Sequence, residues 1–198
     1  MQRTTEVHYH EIAHMTSQTQ ALEGRFTEDG VHSAFGFSVV LVHDGIKTFR
    51  GSLDDVEATL TARPDGLSLE GTAKVESISI REPAEFRAHV LSEEFFDAEN
   101  HPEVTFRSTS AELGDDGAAR VKGELTIAGT TREVSAEGTW RGPVKGPNSL
   151  AHVAIGLETS FDRREFGFEW QMELPGGGEA LAWEVGLNVH LELVQQGD

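Results

Sequence analysis

The 198-residue chain carries 34 acidic and 16 basic residues, a net charge of −18 with His neutral, which argues against nucleic acid and anionic lipid headgroups as partners because both repel it. Its length suits one domain, or one domain plus a tail, with a real core. The absence of cysteine removes disulfides and thiol nucleophiles.

No stretch approaches the ~20 apolar residues of a membrane helix, so stable membrane insertion is not expected. The start, Met1 to His8, has no apolar signal region. The expected compartment is the cytoplasm, or the periplasm or exterior if a signal has been removed. Residues 1–20 are polar and poorly periodic and read as an N-terminal extension, with residues 21–198 forming the domain. Within the extension, His10-Glu11-Ile12-Ala13-His14 fits H-E-x-x-H, and His8 adds a ligand type. On a helix inside a domain that pattern binds zinc for proteolysis. Here it lies close to the terminus without helical periodicity upstream, and the chemistry also needs a third ligand and a cleft. No metal site is expected.

From Ala21 onward, alternating apolar runs are separated by turn signals. Phe35, Phe37, Val39 and Leu41 share a face, and His43-Asp44-Gly45 reads as a turn. A second run extends from Phe49 to Leu60, with Val56, Ala58 and Leu60 in phase. Arg63-Pro64-Asp65-Gly66 is a turn, since Pro presets φ and Gly tolerates positive φ. Leu67, Leu69, Gly71, Ala73 and Val75 form the return strand. At Pro83 the period changes: Phe86 with Val90 and Arg87 with Leu91 stand at i,i+4, predicting a short helix inserted near 83–97. Strands resume at about 104–111, 119–127, 133–141, 149–161 and 180–194, with loops at 143–148 and 175–178.

The last strand has the clearest pattern. Leu181, Trp183, Val185, Leu187, Val189, Leu191 and Leu193 are apolar, and the residues between them include Glu184, Asn188, His190 and Glu192. Such long alternation gives a strand with one dry face, as in a barrel, where every strand has an inside and an outside. The residues therefore predict an all-β antiparallel barrel or sandwich with one helical insertion. No catalytic triad, nucleotide loop or other enzymatic motif stands out.

Several blocks resemble the YceI-like family, lipocalin-like bacterial barrels that bind polyisoprenoid lipids. They are His43-Asp44-Gly45 with Phe49-Arg50-Gly51; His89 with Ser92 to Asp97; His101-Pro102-Glu103-Val104-Thr105-Phe106 with Ser108-Thr109; Gly123 to Thr131; and Asp162-Arg163-Arg164-Glu165-Phe166-Gly167. The resemblance covers about residues 22–194. Two departures lie near the presumed mouth: Phe86-Arg87 stands where the family has Arg-Asp, and the strand before His43 carries an insertion. The resemblance implies an eight-stranded antiparallel lipocalin-like barrel enclosing an isoprenoid chain, a polyprenyl compound or an isoprenoid quinone. It implies a non-enzymatic binding, storage or transport role as monomer or homodimer, with no cofactor beyond the bound lipid.

The expected tunnel lining is Phe35, Phe37, Val39, Phe49, Leu69, Val75, Phe106, Leu125, Ile127, Trp140, Val153, Ile155, Leu157, Trp183, Val185 and Leu187, none of them charged. The expected polar mouth is His43, Arg87, His89, Asp162 and Arg163, Arg offering a fork of donors to an oxygen-bearing headgroup. A 13-residue strand spans about 43 Å at ~3.3 Å per residue, and a tilt of about 40° gives a barrel on the order of 30 Å tall. Each prenyl unit buried there gains on the order of 3–4 kcal/mol before ordering costs. Pattern alone leaves an alternative open, a barrel filled by its own side chains that serves as a structural or interaction domain.

Overall fold

The computed structural model describes residues 22–42, 47–146 and 149–197. The expected extension, its H-E-x-x-H pattern and the turn at His43 lie outside these residues.

Ten strand segments and one helix follow in order: β1 (Gly24–Glu28), β2 (Ala34–Leu41), β3 (Lys47–Leu53), β4 (Val56–Arg63), β5 (Gly66–Lys74), α1 (Ala84–Leu91), β6 (Glu103–Leu113), β7 (Ala118–Ile127), β8 (Thr130–Lys145), β9 (Ala151–Asp162) and β10 (Leu181–Gln195). All pairings are antiparallel, and β1 pairs with both β4 and β10. The sequence β1-β4-β5-β6-β7-β8-β9-β10 therefore closes on itself as an eight-stranded barrel. Closure removes every free edge at that end.

The other two segments continue strands of the ring. β2 follows β1 along β10, and β3, the partner of β2, runs on into β4. Each break changes the alternation. Phe26 is buried in β1, whereas Phe35 and Phe37 take the inner face of β2. Phe49, Gly51 and Leu53 point inward in β3, but Val56, Ala58 and Leu60 do so in β4, because Asp54 and Asp55 interrupt the ladder. Ser77 Oγ accepts hydrogen bonds from both Asp54 and Asp55 N–H at 2.9 Å, replacing the lost ladder partners. A single strand from Phe49 to Leu60, as the sequence suggested, is thus two segments.

The remaining turns follow local chemistry. Ile127 pairs with Thr130 across a two-residue turn in which Ala128 and Gly129 have φ of 46° and 74°, the left-handed pair that matches hairpin twist. β8 continues through Pro143 to Lys145 after a register shift between Arg141 and Val144, where the sequence predicted a loop. Proline is tolerated there because the irregularity has already interrupted the ladder. Helix α1 begins directly after Pro83 and lies over the open end of the barrel with residues 75–80. Ser79 N–H donates to Ser52 O at 2.8 Å, fastening that segment to β3.

The interior divides into two layers. At the closed end Phe26, Leu60, Val153 and Leu193, each at most 1% exposed, pack with Ile155, Leu157 and Leu191. At the α1 end Leu53, Val75, Val90, Val104, Ile127, Phe166 and Leu187 form the second cluster.

Candidate functional site

The α1 end of the barrel is hollow. A cavity of about 330 Å³ is walled by Phe35, Phe37, Val39 and Leu41 of β2, Phe49 of β3, Phe86, His89 and Val90 of α1, Phe95 and Phe96 after it, Phe161 of β9, and Leu181, Val185 and Leu187 of β10. The segment between β9 and β10 adds Arg163, Phe168, Trp170, Met172 and Ala180. A smaller cavity of about 90 Å³ lies deeper, walled by Val56, Ala58, Leu69, Ala73, Phe106, Val121, Leu125, Val134, Ala136, Leu157, Val189 and Leu191 among others. Phe35, Val104 and Leu187 belong to both walls.

Aromatic rings build most of the larger wall. Phe37 lies 6.1 Å from Phe49 and 6.3 Å from Phe96, Phe49 lies 5.6 Å from Phe86, and Phe96 lies 5.7 Å from Phe168. These separations fall in the range of favourable edge-to-face and tilted pairs, so the rings brace one another while facing a void. Gly51 makes room for this arrangement, because a Cβ there would stand 2.6 Å from Phe37 Cζ. Phe86 is 38% exposed and Met172 43%, which places the rim between α1 and the β9–β10 segment.

Of the sixteen expected lining residues, the structure brings Phe35, Phe37, Val39, Phe49, Leu69, Phe106, Leu125, Ile127, Leu157, Val185 and Leu187 to the two cavities. Five are elsewhere. Val153 and Ile155 are packed into the solid base, and Trp140 packs against it with Nε1 donating to Gly114 O at 2.8 Å. Val75 is buried in the turn that follows β5. Trp183 is displaced by a register irregularity between Leu181 and Val185, where four residues of β10 span two of β2. A bulge of this kind rotates the intervening side chain out of phase. The expected tunnel is therefore two voids, the larger at the α1 end and the smaller below it, above a base packed solid at Phe26, Leu60, Val153 and Leu193.

The polar residues also sort by structure. His43 lies outside the described residues. Arg87 turns away from the cavity, its Nη2 donating to Glu76 O at 2.7 Å and to Glu76 Oε2 at 2.9 Å. Asp162 is also outside the lining. Its carboxylate accepts from the side chain and the backbone N–H of Arg164, and these two hydrogen bonds hold the carboxyl down at about 2. His89 does line the cavity, with Nε2 2.9 Å from Glu94 Oε2 and its ring edge-on to Phe95 and Trp170.

Arg163 lines the cavity as a buried cation, 2% exposed. Its Nε donates to Ala182 O at 3.0 Å and its Nη1 to Phe168 O at 2.6 Å, while Nη2 is buried with no hydrogen-bond partner. Burial pulls its pKa below the ordinary arginine value. The guanidinium lies over Trp183, whose π face partly compensates the desolvated charge. Arg163 thus ties the β9–β10 segment to the bulge that displaces Trp183. Among the described residues lining the larger cavity, His89 and Arg163 are the ones with titratable side chains.

Sequence reasoning passed over most of the wall supplied by α1 and the segments beside it. One signal was present: Phe166, Phe168 and Trp170 alternate, and this short run covers the opening. On the outer surface, Asp29, His32, His152 and Glu192 form a linked cluster, with Asp29 Oδ2 3.1 Å from His32 Nδ1 and His152 Nδ1 3.6 Å from Glu192 Oε1. They pin the break between β1 and β2 to β10. Among the described residues no helix is long and apolar enough to cross a membrane.

The YceI-like domain model matches residues 26–193. A UPF0312 protein of Pseudomonas putida strain W619 is 25% identical over 182 residues, covering 90% of each chain. A UPF0312 protein of Staphylococcus aureus strain USA300 is 28% identical over 163 residues, covering 81% of this chain and 91% of its own. Among solved structures, BcnA of Burkholderia cenocepacia superposes with a TM-score of 0.68 at 19% identity, over 83% of this chain and 98% of that one. A polyisoprenoid binding domain from Saccharophagus degradans gives 0.63 at 8% identity, over 88% and 100%. With the domain model spanning nearly the whole barrel, this chain is a member of the YceI-like family.

Proposed function

We propose that the barrel binds an isoprenoid lipid, a polyprenyl compound or an isoprenoid quinone, and stores or carries it without chemical change. The observation that carries this reading is the 330 Å³ cavity, walled almost wholly by apolar and aromatic side chains and rimmed by exposed Phe86 and Met172. Its size falls within the range of small-molecule sites. An apolar void of this size forfeits dispersion contacts along its whole lining, and an oily chain restores them. His89 is engaged by Glu94, and Arg163 donates to Phe168 O and Ala182 O and has only Nη2 without a partner, so affinity comes chiefly from the tail. The polyisoprenoid-binding domain with the same fold supports the choice of ligand class.

The solid base corresponds to the filled-barrel alternative, which accounts for the closed end alone. The test is mass spectrometry of an organic extract of the purified protein, followed by titration of the stripped protein with a prenyl alcohol. Val185→Trp fills the cavity and is expected to abolish uptake while leaving the fold intact. A stripped wild-type protein with no affinity for any prenyl compound overturns the reading.

A further inference from the structure

We infer that Phe35 and its neighbours Val104 and Leu187 form a waist that sets the length of tail the barrel accepts. The inference rests on the lipid-binding reading above. The two cavities lie in series, from the rim at Phe86 and Met172 through the larger void to the smaller one, and below that to the packed base at Leu60, Val153 and Leu193. Phe35, Val104 and Leu187 are the residues common to both walls, so any chain passing from one void to the other passes between them. Val104 and Leu187 are buried, at 3% and 7% exposed, whereas Phe35 is only partly buried. Phe35 is also the largest of the three.

Volume sets the scale. An apolar cavity of ~150 Å³ accommodates a six-carbon ring, so 330 Å³ corresponds to roughly a dozen carbons, two to three prenyl units. The further 90 Å³ corresponds to roughly one more unit. In the wild type the tail fills the upper void and stops against Phe35, with longer tails forced to leave surplus carbons at the rim. Trimming Phe35 joins the voids and adds its own ring volume. The smaller void has no other use in the lipid-binding reading, and its wall is as apolar as the upper one, with Leu69, Val121, Leu125 and Leu157 around it.

The test is a titration series with all-trans prenyl alcohols of two, three, four and five units, read by quenching of tryptophan fluorescence, since Trp170 lines the upper void. In the wild type, affinity should rise with length and level off at about three units. In Phe35→Ala the plateau should move out by one to two units, with the four-unit alcohol gaining about tenfold or more over the wild type. Leu187→Phe, which narrows the same passage, should leave the plateau where it was or shorten it. Should Phe35→Ala fail to fold, Val104→Ala gives the same reading with a smaller change of shape. A wild type that binds the series while both Phe35→Ala and Val104→Ala keep its plateau overturns the waist and leaves the lipid-binding reading standing. A wild type that binds none of the alcohols overturns both.

Discussion

The guanidinium of Arg163 stands 4.2 Å from the centre of the Trp183 ring, and that contact explains why the one aromatic residue of the last strand leaves the barrel interior. The cation is buried and needs its charge solvated by something other than water. Ala182 O, Phe168 O and the Trp183 face supply that solvation. The bulge in β10 brings the first and the third within reach. Arg163→Met removes the desolvation cost of the charge but strands two carbonyls, one of them fully buried. Stability should fall by about 1–3 kcal/mol, read as a shift in the urea midpoint at unchanged slope. Arg163→Lys should not rescue it, because an ammonium cannot span both carbonyls and stack on the ring. A midpoint equal to that of the wild type would refute the role.

The neighbouring pair makes a prediction in pH. The hydrogen bonds from Arg164 hold Asp162 down at about 2 in the fold, below the ordinary carboxylate range, so its depressed folded pKa means the carboxylate stabilises the fold above about 4 and that contribution disappears as pH falls through 2. Both partners are solvent-facing, so the effect is small. Acid unfolding of Asp162→Asn should run slightly below the wild type near neutral pH and converge with it by about pH 2. Curves that stay apart at the acid end would count against the pairing.

The packed base and the hollow end should respond differently to truncation. Leu193 is fully buried amid Phe26, Leu60 and Val153, so Leu193→Ala opens a new void and should cost about 2–5 kcal/mol. Val185 already borders a void, so Val185→Ala loses fewer contacts and should cost less than about 1 kcal/mol. Thermal unfolding of both variants, stripped of ligand, checks the contrast; equal losses would mean the two ends are packed alike.

Gly51 offers a way to shrink the cavity from behind its wall. A methyl group there meets Phe37 Cζ at 2.6 Å, and the ring is the part that can yield. Gly51→Ala should push Phe37 into the cavity and weaken uptake of a three-unit prenyl alcohol by about tenfold, with only a modest change in melting temperature. Unchanged affinity would show that the ring moves elsewhere.

Much of this molecule could be read from the residues. Alternation in the last strand and in residues 119–127 located long two-faced strands. Pro83 with the i,i+4 spacing of Phe86 and Val90 and of Arg87 and Leu91 located α1, and Ala128-Gly129 located a hairpin. All of these are local, because backbone geometry ties side-chain direction to sequence spacing. The breaks at Asp54-Asp55 and beyond Glu28 were not legible, since a one-residue phase change looks like an interruption of pattern until the partner strand is known. Trp183 kept its phase in sequence and lost it to a bulge enforced by a cation twenty residues upstream.

Among the expected polar residues, chemistry of the side chain alone could not separate Arg87, committed to Glu76, from Arg163, buried against the cavity. Within each uninterrupted strand the sequence by itself determined which residues share a face, because that depends only on the two-residue period of an extended chain, whereas the bulge at Trp183 and the breaks beside β2 and β4 reset that phase. Tertiary structure decided whether the inward residues meet or leave a space, because the gap depends on how far apart closure holds the opposing walls. Here the closed ring lets Leu60, Val153 and Leu193 pack together, while the splayed end roofed by α1 holds Phe37, Phe49 and Phe96 around an opening.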